Sequence, residues 1–219
     1  MPTINISSTS GTISNSDPSY SIVRNAPSGD TVTVYPTSGI IGQREHLGSY
    51  NIRRGYMAFD TSAILLTPSS ATINLYVTMG SGANYYVTDS SAPDLVTNLA
   101  ITDYDAYAPN GAYTSLITIT SDGWISVTLD AYARNAMNTS SVFKIMIVGS
   151  GDYSGTPPSI ETEELDNFDF SGNIPYISYV EGTLNEIYSI NKNSINLLST
   201  INNISIVNLN KFLGINSTT

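Results

Sequence analysis

The stretch "ATINLYVTM", residues 71–79, is the clearest indication of the fold that we predict for this chain. Its large aliphatic residues, Ile73, Leu75 and Val77, occupy every second position and alternate with polar or aromatic residues. Alternation with a period of two is typical of a β-strand that buries one face. The same pattern recurs in "TINIS" (3–7), "DTVTVYP" (30–36), "SLITIT" (115–120), "WISVTLD" (124–130), "VFKIMIVGS" (142–150) and "NIPYISYVEG" (173–182). The sequence therefore predicts a protein built mainly from strands.

The segments between these strands are rich in Gly, Pro, Ser and Asn, which favour turns. Examples are "NAPSGD" (25–30), "TPSS" (67–70), "GSGAN" (80–84), "APNG" (108–111), "SDG" (121–123) and "SGTPPS" (154–159). Many short strands separated by turns predict an all-β jelly-roll sandwich. One stretch differs: "LDAYARNAMN", residues 129–138, predicts a helix, because it is rich in alanine and Asp130 could cap its start.

The composition restricts the classes of partner. The chain has 219 residues, of which only 12 % are charged, and its net charge is −10 with eight basic residues. Nucleic-acid binding is not expected, because phosphate contacts require clustered lysines and arginines. The chain has no cysteine, which excludes disulfides and thiolate chemistry. The first twenty residues contain neither a basic start nor an apolar run, so we expect no secretory signal and no membrane insertion.

The one basic cluster in the sequence consists of Arg44, Arg53 and Arg54. It has two interpretations, a functional anion site or a set of partners for carboxylates such as Glu45 and Asp60. We favour the second, because surface arginines commonly pair with nearby acids.

Catalytic chemistry has little support in the sequence. His46 is the only histidine, and the surrounding "GQREHLGSY" is a polar loop without a nucleophile-elbow motif. No spacing selects a pair of carboxylates for glycoside hydrolysis. We therefore predict a protein that is not an enzyme and has no cofactor, with a glycan hydrolase as a remote alternative.

Two acidic segments could hold a structural calcium ion through carboxylate oxygens. In "ITDYDAY", Asp103 and Asp105 would point the same way if the segment were a strand. The run "ETEELDNFDF" adds Glu161, Glu163, Glu164, Asp166 and Asp169. No calcium-loop signature is present, so a solvated acidic loop is the favoured interpretation.

Tyrosines are dense between residues 85 and 113, at Tyr85, Tyr86, Tyr104, Tyr107 and Tyr113. Aromatic rings stack on sugars and are also common in protein interfaces and in cores. Tyr85, Tyr86, Tyr104 and Tyr107 are the candidate glycan contacts, with a protein interface and plain packing as the alternatives.

The middle of the chain resembles the DNRLRE-type jelly-roll modules, which are related to carbohydrate-binding modules. The resemblance rests on "RRGYMAFDTSAI" (53–64) followed by "SSATINLYV" (69–77), and on the later order of "WISVTLDAYARNAMN", "FKIMIVGSGDY" and "NIPYISYVEG". It covers about residues 20–182 and implies a jelly-roll fold. The family often has tryptophan-rich segments that face sugars, whereas this chain has only Trp124.

The last part of the chain differs in composition, and we place a domain boundary near residue 182. Residues 183–219 contain an 11-residue repeat, "INKNSINLLST" from Ile190 and "INNISIVNLNK" from Ile201. The repeat resembles "INGVSI"-like repeats of phage structural proteins. A period of 11 fits a helical supercoil, but abundant Ile, Asn, Ser and Thr favour short strands or extended segments.

A segment this short cannot bury its own large apolar residues. We therefore predict that it mediates oligomerisation or attachment through Ile190, Ile195, Ile201, Ile206 and Phe212. The partners would be sister subunits, in a homo-oligomer that could be a trimer, or other virion proteins.

These observations predict a non-enzymatic phage virion structural protein, made in the host cytoplasm and released by lysis. An exposed head fibre or capsid decoration protein is the most concrete version, and a tail or neck location stays open. The alternative is an adhesion module that binds bacterial surface glycans. Both hypotheses can hold for one protein.

Overall fold

Strands and turns alternate along the computed structural model, which describes residues 1–182 apart from the side chains of residues 107–110. The strands are β1 (Thr3–Asn5), β2 (Gly11–Asp17), β3 (Thr31–Val34), β4 (Ser38–His46), β5 (Ser49–Asp60), β6 (Ser70–Thr78), β7 (Asn84–Ser90), β8 (Tyr107–Ala112), β9 (Ile117–Thr118), β10 (Gly123–Thr128), β11 (Val142–Gly149), β12 (Glu163–Asp169) and β13 (Tyr176–Val180). The helices are α1 (Tyr20–Arg24), α2 (Ala131–Thr139) and α3 (Ser150–Ser154), with a 3-10 helix at Ile101–Asp103.

The strands of this region pair antiparallel and form one connected network of 13 strands. On one side, β10, β6, β13 and β1 lie next to one another. On the other side, β5 pairs with β4, β2 and β11, and β11 pairs with β7. The inner faces of the two sides meet in the main hydrophobic core. This arrangement confirms the predicted all-β sandwich.

The main core contains the aliphatic stripe that the sequence predicts on β6. Ile73, Leu75 and Val77 are fully buried, and they share one cluster with the β11 residues Phe143, Ile145 and Ile147. Each fully buried side chain of this size stabilises the fold by about 1.5–3 kcal/mol relative to an exposed one. In β6 and β11, the residues that the sequence predicts to face the interior therefore do so.

A second, smaller core lies on the opposite face of β5 and β11. It contains Tyr56 of β5, together with Met146 and Val148 of β11. Val23 of α1 and Tyr104, next to the 3-10 helix, cover it. Because β5 and β11 bury both faces, these strands form the middle layer of this part of the molecule.

The predicted helix is confirmed and begins where Asp130 caps it. The Asp130 carboxylate accepts a hydrogen bond of 2.8 Å from the backbone N–H of Ala133. The prediction did not include α1 and α3. The predicted strand "SLITIT" shortens to two paired residues in β9.

No helix within residues 1–182 is long and apolar enough to cross a membrane. The predicted repeat segment, with Ile190, Ile195, Ile201, Ile206 and Phe212, lies outside the described residues.

Candidate functional site

Three aromatic side chains meet on the outer surface of β10, β6 and β13, which we call the aromatic face. Trp124 on β10 lies opposite Tyr76 on β6, and Tyr176 on β13 lies opposite Asn74 on β6. The Trp124 ring centroid is 5.6 Å from that of Tyr76 and 5.4 Å from that of Tyr176, both in edge-to-face geometry. Trp124 is 48 % exposed, whereas soluble proteins usually bury most of so large an aromatic ring. The face therefore presents a large ring that two neighbouring rings hold in place.

A hydrogen-bonded polar strip lies beside these rings. Asn74 is buried at the centre of the strip and accepts a hydrogen bond of 2.7 Å from the Ser126 hydroxyl. Its Nδ2 atom lies 3.3 Å from the Ser178 hydroxyl oxygen and 3.2 Å from the Thr72 carbonyl. Asn74 thus links β10, β6 and β13 through hydrogen bonds next to the aromatic rings.

Within residues 1–182, the strands of the aromatic face place no charged side chain on it. The outward positions on these three strands and on the neighbouring β1 are Thr3, Asn5, Ser70, Thr72, Asn74, Tyr76, Thr78, Trp124, Ser126, Thr128, Tyr176, Ser178 and Val180. The charged side chains of residues 1–182 lie on the other strands, on the helices and in the loops. A surface of aromatic rings, hydroxyls and amides suits an uncharged ligand that offers both C–H faces and hydroxyl groups.

The tyrosines predicted to contact a glycan occupy different environments. Tyr85 is fully buried, and its hydroxyl donates to the Ile41 carbonyl and to Asp166, both at 3.0 Å. Tyr104 is also fully buried and packs 4.3 Å from the Arg54 guanidinium. Neither ring leaves a face open to a sugar, so both belong to the cores and not to the site.

Tyr86 is the predicted tyrosine closest to an open surface. It is half-buried against Tyr153, with 4.4 Å between the ring centroids, and lines a groove of about 400 Å³ with Leu116. Tyr107 belongs to β8, but its side chain is outside the described part. The structure does not bring the four predicted tyrosines to one surface.

The basic cluster splits between two environments. Arg54 is buried in the second core and makes a two-pronged ion pair with Asp152, at 2.7 and 2.9 Å. Burial lowers the pKa of Arg54, but the charge of Asp152 and the hydrogen bonds to it outweigh this effect and raise the pKa overall. Arg44 pairs with Glu163 at 3.2 Å on the surface. Two of the three arginines therefore pair with carboxylates, as predicted. The carboxylates are Asp152 and Glu163, however, and not Glu45 and Asp60.

Glu45 and Asp60 have other roles. The Glu45 carboxylate accepts backbone N–H groups of Gly48, at 2.8 Å, and of Glu161, at 2.6 Å. Asp60 accepts the hydroxyl and the backbone N–H of Ser62. Both carboxylates therefore stabilise turns and do not balance the arginines.

His46 lies at the exposed end of β4, and its Nδ1 atom is 2.9 Å from a Glu161 carboxylate oxygen. The Glu161 carboxylate also accepts the backbone N–H of Leu47. The hydrogen bond from Leu47 and that from His46 lower the pKa of Glu161. His46 is a surface residue, as predicted, and this contact links it to the loop before β12.

The carboxylates proposed for calcium serve other contacts. Asp103 lies in a 3-10 helix and not in a strand, so the strand geometry that would point Asp103 and Asp105 the same way is not present. The Asp103 carboxylate accepts a hydrogen bond of 2.9 Å from the Ala100 backbone N–H. Asp166 is fully buried on β12. It accepts backbone N–H groups of Gly80, Gly82 and Ala83. Within residues 1–182, no three carboxylates or histidines cluster as metal ligands would.

Comparison with known proteins assigns no family to this chain. No protein-family model matches the sequence, and no curated protein matches it. The likeness to DNRLRE-type modules therefore stays an interpretation of the motifs.

The sequence does indicate the aromatic face, but through the outward positions of predicted strands and not through the density of tyrosines along the chain. Tyr76, Trp124 and Tyr176 each occupy the outward position of a predicted strand. These three residues are far apart in the chain and become neighbours only through strand pairing.

Proposed function

We propose that the chain is a non-enzymatic, glycan-binding virion protein that holds a neutral polysaccharide on its aromatic face. The observation that carries the proposal is the exposed Trp124 ring, held between Tyr76 and Tyr176 on strands whose outward side chains are uncharged. An aromatic ring offers a flat apolar area to the C–H side of a sugar ring. The polar strip of Asn74, Ser126 and Ser178 supplies donors and acceptors for sugar hydroxyls.

The shape of the surface favours an extended chain over a small molecule. The aromatic face is a sheet surface and not a cleft, so it can contact several sugar units of a polymer at once. Each contact is weak, and binding would gain strength when many copies are displayed together. Display on a particle that meets a bacterial surface is a natural setting for such a module.

Replacing Trp124 with alanine is expected to lower polysaccharide affinity at least tenfold, about 1.4 kcal/mol, because the central ring of the face is lost. The measurement is affinity electrophoresis of the full chain through gels that contain neutral glucans, mannans, galactans or xylans. Tyr132→Ala is the matched control, since Tyr132 is 49 % exposed but lies on α2.

The proposed glycan site is wrong if no neutral polysaccharide retards the wild-type chain. It is also wrong if Trp124→Ala and Tyr132→Ala reduce retardation equally. Trp124→Ala also removes the ring contacts with Tyr76 and Tyr176, so it should lower the melting temperature modestly without unfolding the domain. Circular dichroism at the assay temperature therefore separates loss of binding from loss of folding.

The sequence of residues 183–219 supports the virion part of the proposal. The repeats place large aliphatic residues at Ile190, Ile195, Ile201 and Ile206, and a segment of this length cannot bury them by itself. We propose that this segment joins sister subunits or a capsid-associated protein. The protein would then be a head fibre or capsid decoration protein, or a tail component.

Deleting residues 184–219 is expected to leave a folded β domain that no longer self-associates. Far-ultraviolet circular dichroism measures folding, and light scattering after size-exclusion chromatography measures the oligomeric state. A truncated chain with the same oligomeric state as the full chain would contradict the assembly role. The glycan assay is independent of this result, because it tests a surface within residues 1–182.

A further inference from the structure

Arg53 lies in a surface groove, on the opposite face of β5 from the buried Arg54. The groove, which we call the Arg53 groove, has a volume of about 350 Å³. Its polar lining consists of Thr12, Ser14, Thr31, Thr33, Ser38 and Arg53, and Ile13, Gly39 and Ile40 complete it. Arg53 lies on β5 between Ser14 of β2 and Gly42 of β4. Arg53 is therefore part of a groove in which most of the other polar side chains carry hydroxyl groups.

The guanidinium of Arg53 is oriented before any ligand arrives. Its Nε atom donates a hydrogen bond of 2.7 Å to Oδ1 of Asn51. Asn51 is held in turn, because its Nδ2 atom donates to the Ser16 hydroxyl at 2.6 Å and to the Asn15 carbonyl at 3.2 Å. Within residues 1–182, the two terminal nitrogens of Arg53 make no hydrogen bond, so this end of the guanidinium can donate to a ligand.

The walls of the groove add further donors. Strand pairing sets Thr12 opposite Thr33 and Ser14 opposite Thr31. Ser38, at the start of β4, brings another hydroxyl from the other side. Hydroxyl groups rotate freely and can donate to whichever oxygen is presented. Donors on opposite walls suit a ligand whose oxygens point in several directions.

The electrostatics of the groove favour an anion. Arg24, Arg44, Arg54 and Lys144 each have a carboxylate within 4.0 Å. Arg53 has no such partner among residues 1–182. Burial lowers the pKa of Arg53 and the neighbouring Arg44 lowers it further, while the more distant carboxylate of Glu163 raises it and offsets part of this effect. Arginine remains protonated at neutral pH. An anion in direct contact with Arg53 would offset the remaining repulsion from Arg44.

We infer that the Arg53 groove binds a tetrahedral oxyanion, either phosphate or sulfate, as a free ion or as an ester on a larger molecule. The terminal N–H groups of Arg53 contact two oxygens side by side, the geometry in which arginine binds oxyanions most strongly. The hydroxyls of Thr12, Ser14 and Ser38 reach the remaining oxygens. This site is separate from the aromatic face and does not depend on glycan binding there.

The test titrates the full chain with inorganic phosphate and inorganic sulfate by calorimetry, at an ionic strength held constant with sodium chloride. Saturable binding is expected for the wild type, and Arg53→Gln should weaken it at least tenfold. Lys144→Gln is the matched control, since it removes one positive charge at a distant site. Arg53→Lys keeps the charge but loses the paired donors, so it should also bind more weakly than the wild type.

Three results would overturn the inference. These are the absence of saturable binding, equal weakening by Arg53→Gln and Lys144→Gln, and acetate binding as tightly as phosphate. Dextran sulfate and unsubstituted dextran distinguish the two sources of the anion. If dextran sulfate binds more tightly than inorganic sulfate, and Arg53→Gln removes this difference, then the ligand is an ester on a polymer. If dextran sulfate and inorganic sulfate bind equally well, then the ligand is the free ion.

Discussion

The sandwich is expected to unfold between pH 10 and pH 11, because several of its tyrosine hydroxyls are buried and cannot ionise in the folded state. Tyr56, Tyr85 and Tyr104 are fully buried and Tyr113 is 2 % exposed. Burial is the main cause that raises the pKa of each of these tyrosines above its ordinary value. The nearby Asp166 raises the pKa of Tyr85 further.

The direction of the effect follows from proton binding. In the unfolded chain these tyrosines ionise near pH 10, whereas the folded chain keeps their protons. The folded state is therefore fully favoured below pH 10 and loses stability as the pH rises above it. Each buried tyrosine costs about 1.4 kcal/mol one pH unit above its unfolded pKa, so four cost roughly 5.5 kcal/mol. That loss is comparable to the whole stability of many domains.

Urea unfolding between pH 8 and pH 11 measures this loss, and the absorbance of tyrosinate reports ionisation at the same time. The absorbance of the buried tyrosines should rise only as the β signal in circular dichroism disappears. Tyr104→Phe is the informative variant, because the Tyr104 hydroxyl has no hydrogen-bond partner within residues 1–182. The variant should have nearly the same free energy of unfolding as the wild type at neutral pH. Above pH 10, it should lose less of this free energy than the wild type does. Ionisation of all 15 tyrosines near pH 10 in a folded chain would refute the prediction.

The main core could be predicted from sequence because its strands bury a single face. On β6, alternation assigns Ile73, Leu75 and Val77 to the interior, and all three are fully buried there. The second core gives no such signal. On β11, Met146 and Ile147 are consecutive and both fully buried, one in each core, so the strand shows a continuous apolar run.

The segment around Asp103 has a local structure that the spacing of its aspartates does not indicate. The Asp103 carboxylate binds the backbone N–H three residues earlier, and Tyr104 enters the second core. Local capping and burial of one aromatic ring thus fix a 3-10 helix in a segment for which the sequence left both a strand and an acidic loop open. Neither interaction has a periodicity that the sequence could display.

The candidate site escaped prediction for a related reason. Trp124 and Tyr76 are 48 positions apart in the chain and become neighbours through the register of β10 against β6. The sequence shows which residues of a strand point outward, but the register depends on pairing across the whole sheet. Outward aromatic residues on different strands are therefore a better guide to such a face than tyrosine density along the chain.

Removing the Asp152 carboxylate is expected to destabilise residues 1–182 by about 3–5 kcal/mol, the usual cost of leaving a buried charge without its partner. Arg54 and Asp152 are 6 % and 3 % exposed. The Arg54 guanidinium also donates to the carbonyls of Tyr104, at 2.9 Å, and of Arg24, at 2.8 Å. The pair thus joins β5 to α3, to the end of α1 and to the segment next to the 3-10 helix.

Because this network lies in the second core, we expect Asp152→Ala to destabilise that core first. In Asp152→Ala, the Arg54 charge stays buried, and water can reach it only if α1 or α3 moves away. Limited proteolysis should therefore cut near α1 or α3 before the strands of the main core are attacked. Glu163→Ala is the matched control, because it removes the carboxylate partner of Arg44 on the surface, where 59 % of the Glu163 side chain is exposed. Such a pair contributes less than about 1 kcal/mol.

Replacing both charged residues, as in Arg54→Met with Asp152→Leu, separates the cost of an unpaired charge from the value of the pair. Apolar residues of similar volume fill the space without a buried charge, so the double variant should be more stable than Asp152→Ala. Urea unfolding of the three variants and the wild type completes the comparison. If Asp152→Ala and Glu163→Ala lower the free energy of unfolding by similar amounts, then the Arg54–Asp152 pair does not hold the second core together. If the double variant is as unstable as Asp152→Ala, the hydrogen bonds of Arg54 to the Tyr104 and Arg24 carbonyls matter more than its charge.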